Sequence, residues 1–526
     1  MRYPTRGVLG ALLLSLATLP AAAQDLRVGV RAALTSPDPA SSFTPDRNVA
    51  LQVWEPLMVQ DAALKPVPGL AASWRMRDPT TWEIKLRPGA VFSDGTPVVP
   101  EDVAATFRRN MATNAVQTYK SNLREVTAVE AEGSDTVIIR TRGPSPNLPY
   151  DLATFGIVWA KATEGATNED FNGGRAAIGT GPYRLVRWTP GQGVALERNP
   201  RYWGPAPHWA KVDWRFIPND SARTAALLAG ELDVIDAVPA ELTARVEGDK
   251  TRILSSTAIM MLHLMMDLGR ASSPYATGAD GQPLPRNPLA DLRVRQAISM
   301  AINRQAIAER ALQGTADPAG QFMAPGLDGH DPSLAPPRYD PARARALLAE
   351  AGFPQGFTLT VSCTNDRYAG DGRICQVLGQ MLGAIGIKAN VDAMPMSILL
   401  RRRGGGGPDG GMDLSMFMLG YGAPNGLASS ALSSLVQTQN RAAGKGGNNF
   451  TGYSNPTMDR LIDQAETELD DTKRAALVQQ ATRLAMSDVA IVPLLFTKNY
   501  WGVRRGLTLD LRADSLTFAA TVKPQP

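Results

Sequence analysis

The chain has 526 residues, 44% of them hydrophobic and 20% charged, which is a folded protein long enough for more than one core. Its formal charge of +4 is spread along the chain apart from Arg401-Arg402-Arg403, which excludes the dense basic face of a nucleic-acid binder. Three histidines far apart in sequence, His208, His263 and His330, leave little material for a metal centre or a histidine-based acid/base site.

The N-terminus reads MRYPTRGVLGALLLSLATLPAAAQD. Arg2 and Arg6 precede a short apolar run, and Ala21 to Ala23 offer small residues before Gln24. This is the pattern of a cleaved secretory signal over residues 1–23, with no cysteine near the cut to carry a lipid. The run is short for a membrane span. The mature chain is expected to be soluble and extracytoplasmic, in the periplasm, where disulfides persist.

Residues 25–30 read as a first strand, and LTSPDPASSFTPD at 34–46 as a loop. TWEIKLRPG at 81–89 alternates like a strand. Pro100-Glu101-Asp102 opens a helix running to about Asn110, with its acids at the positive end of the dipole. Strands follow at 136–140, 178–188 and 194–199, and then a helix stopped by Gly230 leads into a further strand. MMLHLMMDL at 260–268 reads as a buried strand. Its methionines Met260, Met261, Met265 and Met266 read as core rather than as a soft metal site.

After Leu268 the composition changes to a long polar loop, then a helical region from Asp291 to Gly314 with a break near Asn303. Residues 341–352 form a helix with Pro at its start and Gly at its stop. FTLTVSC is a strand, ICQVLGQMLGAIG a helix, IKANVDAM a strand, and 411–420 another strand after a glycine loop at 404–411. NPTMDRLIDQAETEL at 455–469 is a capped helix, and a further helix runs to about Met486. The alternation of helices and strands predicts α/β domains.

Both cysteines lie in VSCTNDRYAGDGRICQ, twelve positions apart. The spacing is too wide for a CxxC redox motif, and a zinc site lacks its other ligands. In an oxidising compartment Cys363 and Cys375 are expected to form a disulfide that staples the loop between them. No nucleophile elbow, HExxH, P-loop or dinucleotide fingerprint is present. The expectation is therefore a protein that is not an enzyme and takes no cofactor or metal.

An ordered series of short segments carries a resemblance. It includes LTSPDP, WEPLMVQD, GLAASWR, WEIKLRPGAVFSDGTPVVPEDVAATFRR, GTGPYRL, NPRYWG, LADLRVRQAISMAINR and NPTMDRLIDQA. Together they resemble the periplasmic solute-binding proteins of ABC importers, family 5, of the peptide, opine and nickel class. The resemblance implies a two-lobed α/β binding protein of the large peptide-binding type (class II), with a hinge between the lobes. Lobe I would take 24–265 and 490–526, with an inserted subdomain at about 50–175, and lobe II would take 266–489. The partners it implies are a small peptide-like or anionic organic solute and an ABC permease in the inner membrane, with no nucleic acid and a monomeric receptor.

The resemblance also implies where the solute sits. An arginine after the FTLT-like strand would take a carboxylate, which points to Arg367, with Tyr368 on the same wall. Relatives place an aspartate after the MFMLG-like strand for the solute ammonium. Here the loop reads GYGAPNG, with Tyr421 and Asn425 and no acid. Ser36 and Asp38 in the N-terminal loop, and Trp501 after the second crossover, complete the expected wall. The missing acid leaves an opine, a sugar–amino-acid conjugate or a nickel chelate as alternative solutes. A secreted peptide-binding chaperone is the alternative from another class.

Overall fold

The computed structural model describes residues 25–113, 118–406 and 411–525. The expected signal segment 1–23 and residues 407–410 of the glycine loop lie outside the described residues.

One twelve-stranded sheet runs through the molecule. Its order begins with strands Ala276–Gly278, Phe357–Thr364 and Met416–Tyr421, continues through Thr251–Met266 and Val492–Arg504, and passes to Val234–Ile235 and Leu26–Val30. Strands Lys211–Phe216, Gly193–Arg198 and Tyr183–Thr189 complete the path, while Ile387–Met394 pairs with Phe357–Thr364 and Ala316–Pro318 with Val492–Arg504. Leu26–Val30 lies parallel to strands on both sides and is almost wholly buried, the usual state of a parallel strand covered on both faces. A separate antiparallel sheet, in the order Ala71–Asp78, Thr81–Leu86, Thr136–Thr141 and Val126–Glu132, packs against helix Pro100–Ala112.

Two groups of cores make two lobes. One group takes buried residues such as Leu26, Val28, Trp82, Val103, Ile139 and Trp214, and closes with Trp501, Leu509 and Val522 from the end of the chain. The other takes residues such as Leu262, Ile298, Leu359, Leu378, Leu432, Ile462 and Leu495. Strands Thr251–Met266 and Val492–Arg504 run antiparallel between the groups, from Thr251↔Arg504 to Leu264↔Val492. Their register shifts between Thr257 and Met261 and again between Leu262 and His263, so the ladder bends where the lobes meet.

Most predicted elements stand close to their expected bounds. The strand expected at 260–268 is longer, because Thr251–Ala258 is polar and only half-buried and carries no apolar run. The helical region after Asp291 breaks after Ala301, and Asn303 caps the next piece by accepting from the Ala306 N–H at 2.9 Å. Helices Met396–Arg403 and Ala428–Leu435 were not foreseen. Gly230 stops its helix at φ 77°, and Gly356, at φ 70°, lies so close to the carbonyl of Gly386 that a Cβ would sit 1.8 Å from it.

Candidate functional site

A cleft of about 810 Å³ opens between the lobes, within the range of pockets that enclose small solutes. The first lobe supplies Arg47 from helix Thr44–Val53, Tyr119, Asn122 and Arg124 from the short turn of helix at 120–123 and its flanks, and Asn147 and Asp151 from around helix Leu148–Leu152. The second lobe supplies Tyr421, Asn425, Lys445, Asn448 and Glu466, with serines 429, 430, 433 and 434 from helix Ala428–Leu435. Those serines fall in pairs three to four positions apart, and the spacing brings them to one side of the helix.

The two walls touch directly. Asn425 Nδ2 donates to Asp151 Oδ1 at 3.1 Å, Arg124 Nη1 to the Gly444 carbonyl at 3.0 Å, Asn147 Nδ2 to Ser429 Oγ at 3.4 Å, and Gln60 Nε2 to the Pro424 carbonyl at 3.1 Å. Four hydrogen bonds thus join the lobes across the cleft.

Asp151 is the acid at the centre of that contact. Asn122 Nδ2 donates to the same oxygen at 3.0 Å. Burial pushes its carboxyl up to about 6, against the amides of Asn425 and Asn122 and the charge of Arg124, which favour the ionised form. Glu466 is raised for the same reason, tempered by the Ser433 hydroxyl and Arg124. Lys445 pairs with Asp463 at 2.5 Å. Arg47 is 5% exposed. Its Nη2 donates to Gln60 Oε1 at 2.8 Å and lies 3.7 Å from Asp514, while its Nε has no partner. Arg512 already holds Asp514 through a two-pronged pair, so Arg47 keeps donor capacity beside the cleft.

Of the residues expected at the site, Tyr421 and Asn425 line the cleft. Tyr421 hydroxyl donates to the Ser430 carbonyl at 3.3 Å, and Asn425 Nδ2 also reaches Ser430 Oγ at 2.9 Å. The others are placed elsewhere. Arg367 is exposed and lies over the Tyr368 ring at 5.4 Å, outside the cleft wall. Tyr368 is half-buried against the core, and its hydroxyl accepts from the Gly420 N–H at 2.8 Å. The Ser36 hydroxyl donates to Asn168 Oδ1, and Asp38 is paired with Arg109, so both hold the N-terminal loop. Trp501 is 1% exposed, with its indole N–H on Thr517 Oγ at 2.9 Å, which makes it core. Cys363 and Cys375 are joined as a disulfide between strand Phe357–Thr364 and helix Asp371–Gly383. The loop they frame is held by Asp371, which accepts from Thr364 and from the N–H groups of Arg367 and Tyr368.

Sequence reasoning missed Arg47, Asn122, Arg124, Asp151 and the serine face. The polar spacing in SSALSS was a readable signal for the serines. Arg47, Arg124 and Asp151 had none, because they come from separate segments that meet only in three dimensions.

Comparison with known proteins gives one consistent result. Residues 65–443 match the model of the bacterial extracellular solute-binding proteins, family 5. The glutathione-binding protein GsiB of Shigella dysenteriae is 30% identical over 502 residues, covering 94% of this chain and 92% of its own, and GsiB of Escherichia coli O157:H7 is equally similar. Among solved structures, the periplasmic murein tripeptide binding protein MppA in its unliganded open form superposes with a TM-score of 0.79 at 21% identity, covering 96% of this chain and 98% of its own. The periplasmic binding protein DppA of Helicobacter pylori, in complex with a peptide, gives 0.73 at 21% identity, with the same coverage. Both share the two-lobed fold.

Proposed function

The chain belongs to the bacterial extracellular solute-binding proteins of family 5, and we propose that it is an extracytoplasmic receptor that hands a small peptide-like solute to an ABC permease. Its lobes are assigned to 24–265 with 490–526, and to 266–489. The protein acts in the periplasm after loss of residues 1–23, and as a monomer. The observation that carries the solute class is Asp151. It stands in the cleft, bonded by Asn425 from the opposite lobe, where a family aspartate is missing from GYGAPNG. A half-buried carboxylate on the seam is a counter-charge for a solute ammonium.

The mechanism follows from the geometry. In the open form Asp151 and Asn425 separate. A solute that places its ammonium on Asp151 and a carboxylate on Arg47 is held by the first lobe, and it meets Asn425 and the serine face of the second lobe only when the lobes close. Such a solute binds the closed form better than the open one, and so shifts the population toward closure. The permease then meets a closed surface. The resemblance of the chain to glutathione-binding proteins supports a small acidic peptide over a nickel chelate. Among the described residues no group of three or more His, Cys, Asp and Glu could hold a metal ion.

The test is native mass spectrometry of the receptor taken from its own periplasm, followed by isothermal titration with the released solute. A peptide bound one-to-one without turnover supports the reading. A sugar conjugate or a metal chelate refutes it.

A further inference from the structure

Behind the second-lobe wall of the cleft lies a cation with no counter-charge. Arg403 ends helix Met396–Arg403. Its neighbour Arg402 is held between Asp392 and Asp413 at 2.7 and 2.9 Å. Arg403 has no such pair. Its Nη1 reaches only the neutral Asn448 Oδ1, at 3.4 Å, its guanidinium lies 4.4 Å from the centre of the Phe450 ring, and its Nε is buried without a partner. Burial lowers its pKa, opposed only by Tyr368, and among the described residues no carboxylate acts on it.

A second unsatisfied nitrogen belongs to the same neighbourhood. His263 is 1% exposed, its Nδ1 lies 3.3 Å from the Met261 carbonyl, and its Nε2 has no partner. The charge of Arg403 adds to burial in keeping that ring neutral. Tyr368, which also feels Arg403, accepts from the Gly420 N–H, next to Tyr421 on the cleft wall. Asn448 forms the boundary. It lines the cleft on one side, is held by its Nδ2 on Ser434 Oγ at 2.8 Å, and meets Arg403 on the other.

A half-buried guanidinium that no carboxylate balances and whose Nε is shut away from water without a partner carries an uncompensated cost, which an arriving anion would relieve. We propose that Arg403 receives a carboxylate of the solute past Asn448, so that the solute is a peptide-like molecule with two carboxylates and one ammonium. This rests on the receptor reading given above. Arg47 takes one carboxylate from the first lobe, Asp151 takes the ammonium on the seam, and Arg403 takes the second carboxylate from the second lobe. A guanidinium fork suits a carboxylate better than a lysine would. A solute with one acid would satisfy one lobe and leave the other cation bare, and so would favour closure less.

The experiment pairs a stability measurement with titration of the full receptor. Glutathione, which carries two carboxylates and one ammonium, and its two mono-amides are titrated into wild type and Arg403→Met. Wild type is expected to bind glutathione at least tenfold more tightly than either mono-amide. In Arg403→Met, one of the two mono-amides should bind as well as glutathione, while the other stays weaker. Without solute, Arg403→Met should melt at least ~1 °C higher than wild type, because it removes a half-buried charge that no carboxylate balances. Equal binding of glutathione and its mono-amides to wild type overturns the two-carboxylate solute but leaves the receptor reading standing. A variant that melts lower, or does not fold, shows that Arg403 serves the fold and overturns the proposal. If wild type binds none of the three and releases a non-peptide solute, the receptor's peptide reading fails, and the melting shift alone then decides whether Arg403 awaits an anion.

Discussion

Asp151→Asn separates a site carboxylate from a structural one. The carboxyl of Asp151 titrates at about 6 instead of its ordinary 3.8, because burial opposes its charge. The folded chain therefore holds this proton more tightly than the unfolded chain does. The cost of ionising it in the fold is absent below about pH 4, grows between 4 and 6, and is fully present above 6. At 1.36 kcal/mol for each decade, that cost is up to ~3 kcal/mol, and the open side of the cleft reduces it. Asparagine keeps an oxygen for Asn122 and Asn425 and removes the charge. The solute-free variant should thus be more stable than wild type at pH 7.5. At ~2.1 cal/mol/K per residue, the gain is about 1–3 °C in Tm for a chain of this length. The gain should vanish near pH 4. Differential scanning calorimetry at the two pH values reads this directly, and the difference between the two proteins removes the effects of Glu55 and Asp236, which are raised as well. In the same variant, affinity for an ammonium-bearing solute should fall at least tenfold, and wild-type affinity should weaken as pH drops below about 6. A variant that is less stable at pH 7.5, or whose advantage persists at pH 4, refutes the reasoning.

Arg367→Ala should leave solute affinity within about twofold, since the side chain stands outside the cleft; the tenfold loss expected from the resemblance alone would return it to the site. Trp501→Phe removes the bond to Thr517 from a buried side chain. It should lower stability by about 1 kcal/mol in chemical denaturation and leave the solute preference unchanged. Replacing Cys363 and Cys375 together by alanine opens a loop of twelve residues' separation, which should cost ~3 kcal/mol in the same assay. Arg124→Ala breaks the contact with Gly444 across the cleft and should shift small-angle scattering of the solute-free protein toward a larger radius, with little change in Tm.

The fold was legible where burial imposes a pattern. TWEIKL alternates because one face packs on Phe107 and its neighbours, and the helix at Pro456–Thr467 shows Met458, Leu461, Ile462 and Ala465 on one side because that side meets the core. Helix Ala428–Leu435 was missed because the side it turns to the cleft is serine and its other side is only a short run of alanine and leucine. The strand at Thr251–Ala258 was missed because its side chains are polar and half-buried. The site was legible only along one loop. Tyr421 and Asn425 are neighbours in sequence of a strong strand, and their loop position announced them. Asp151 is 274 positions from its partner Asn425. No local pattern marks an acid whose meaning comes from a contact that distant. Arg367 and Trp501 had the right chemistry, but Arg367 points to solvent and Trp501 fills a core.

The closing segment of the chain sets the order in which the molecule can be completed. Trp209 donates to the Val522 carbonyl at 2.6 Å, Thr517 N–H to Asn48 at 2.9 Å, and Ala519 N–H to Gln52 at 2.9 Å, with separations of 313, 469 and 467 residues. The lobe whose first strand emerges earliest therefore lacks part of its core until the last thirty or so residues arrive, while the second lobe is synthesised without interruption inside it. The first-made lobe is the last to finish. A nascent chain of this design stays incompletely folded over most of its synthesis, which is the condition a polypeptide needs if it is to be threaded across a membrane before it folds.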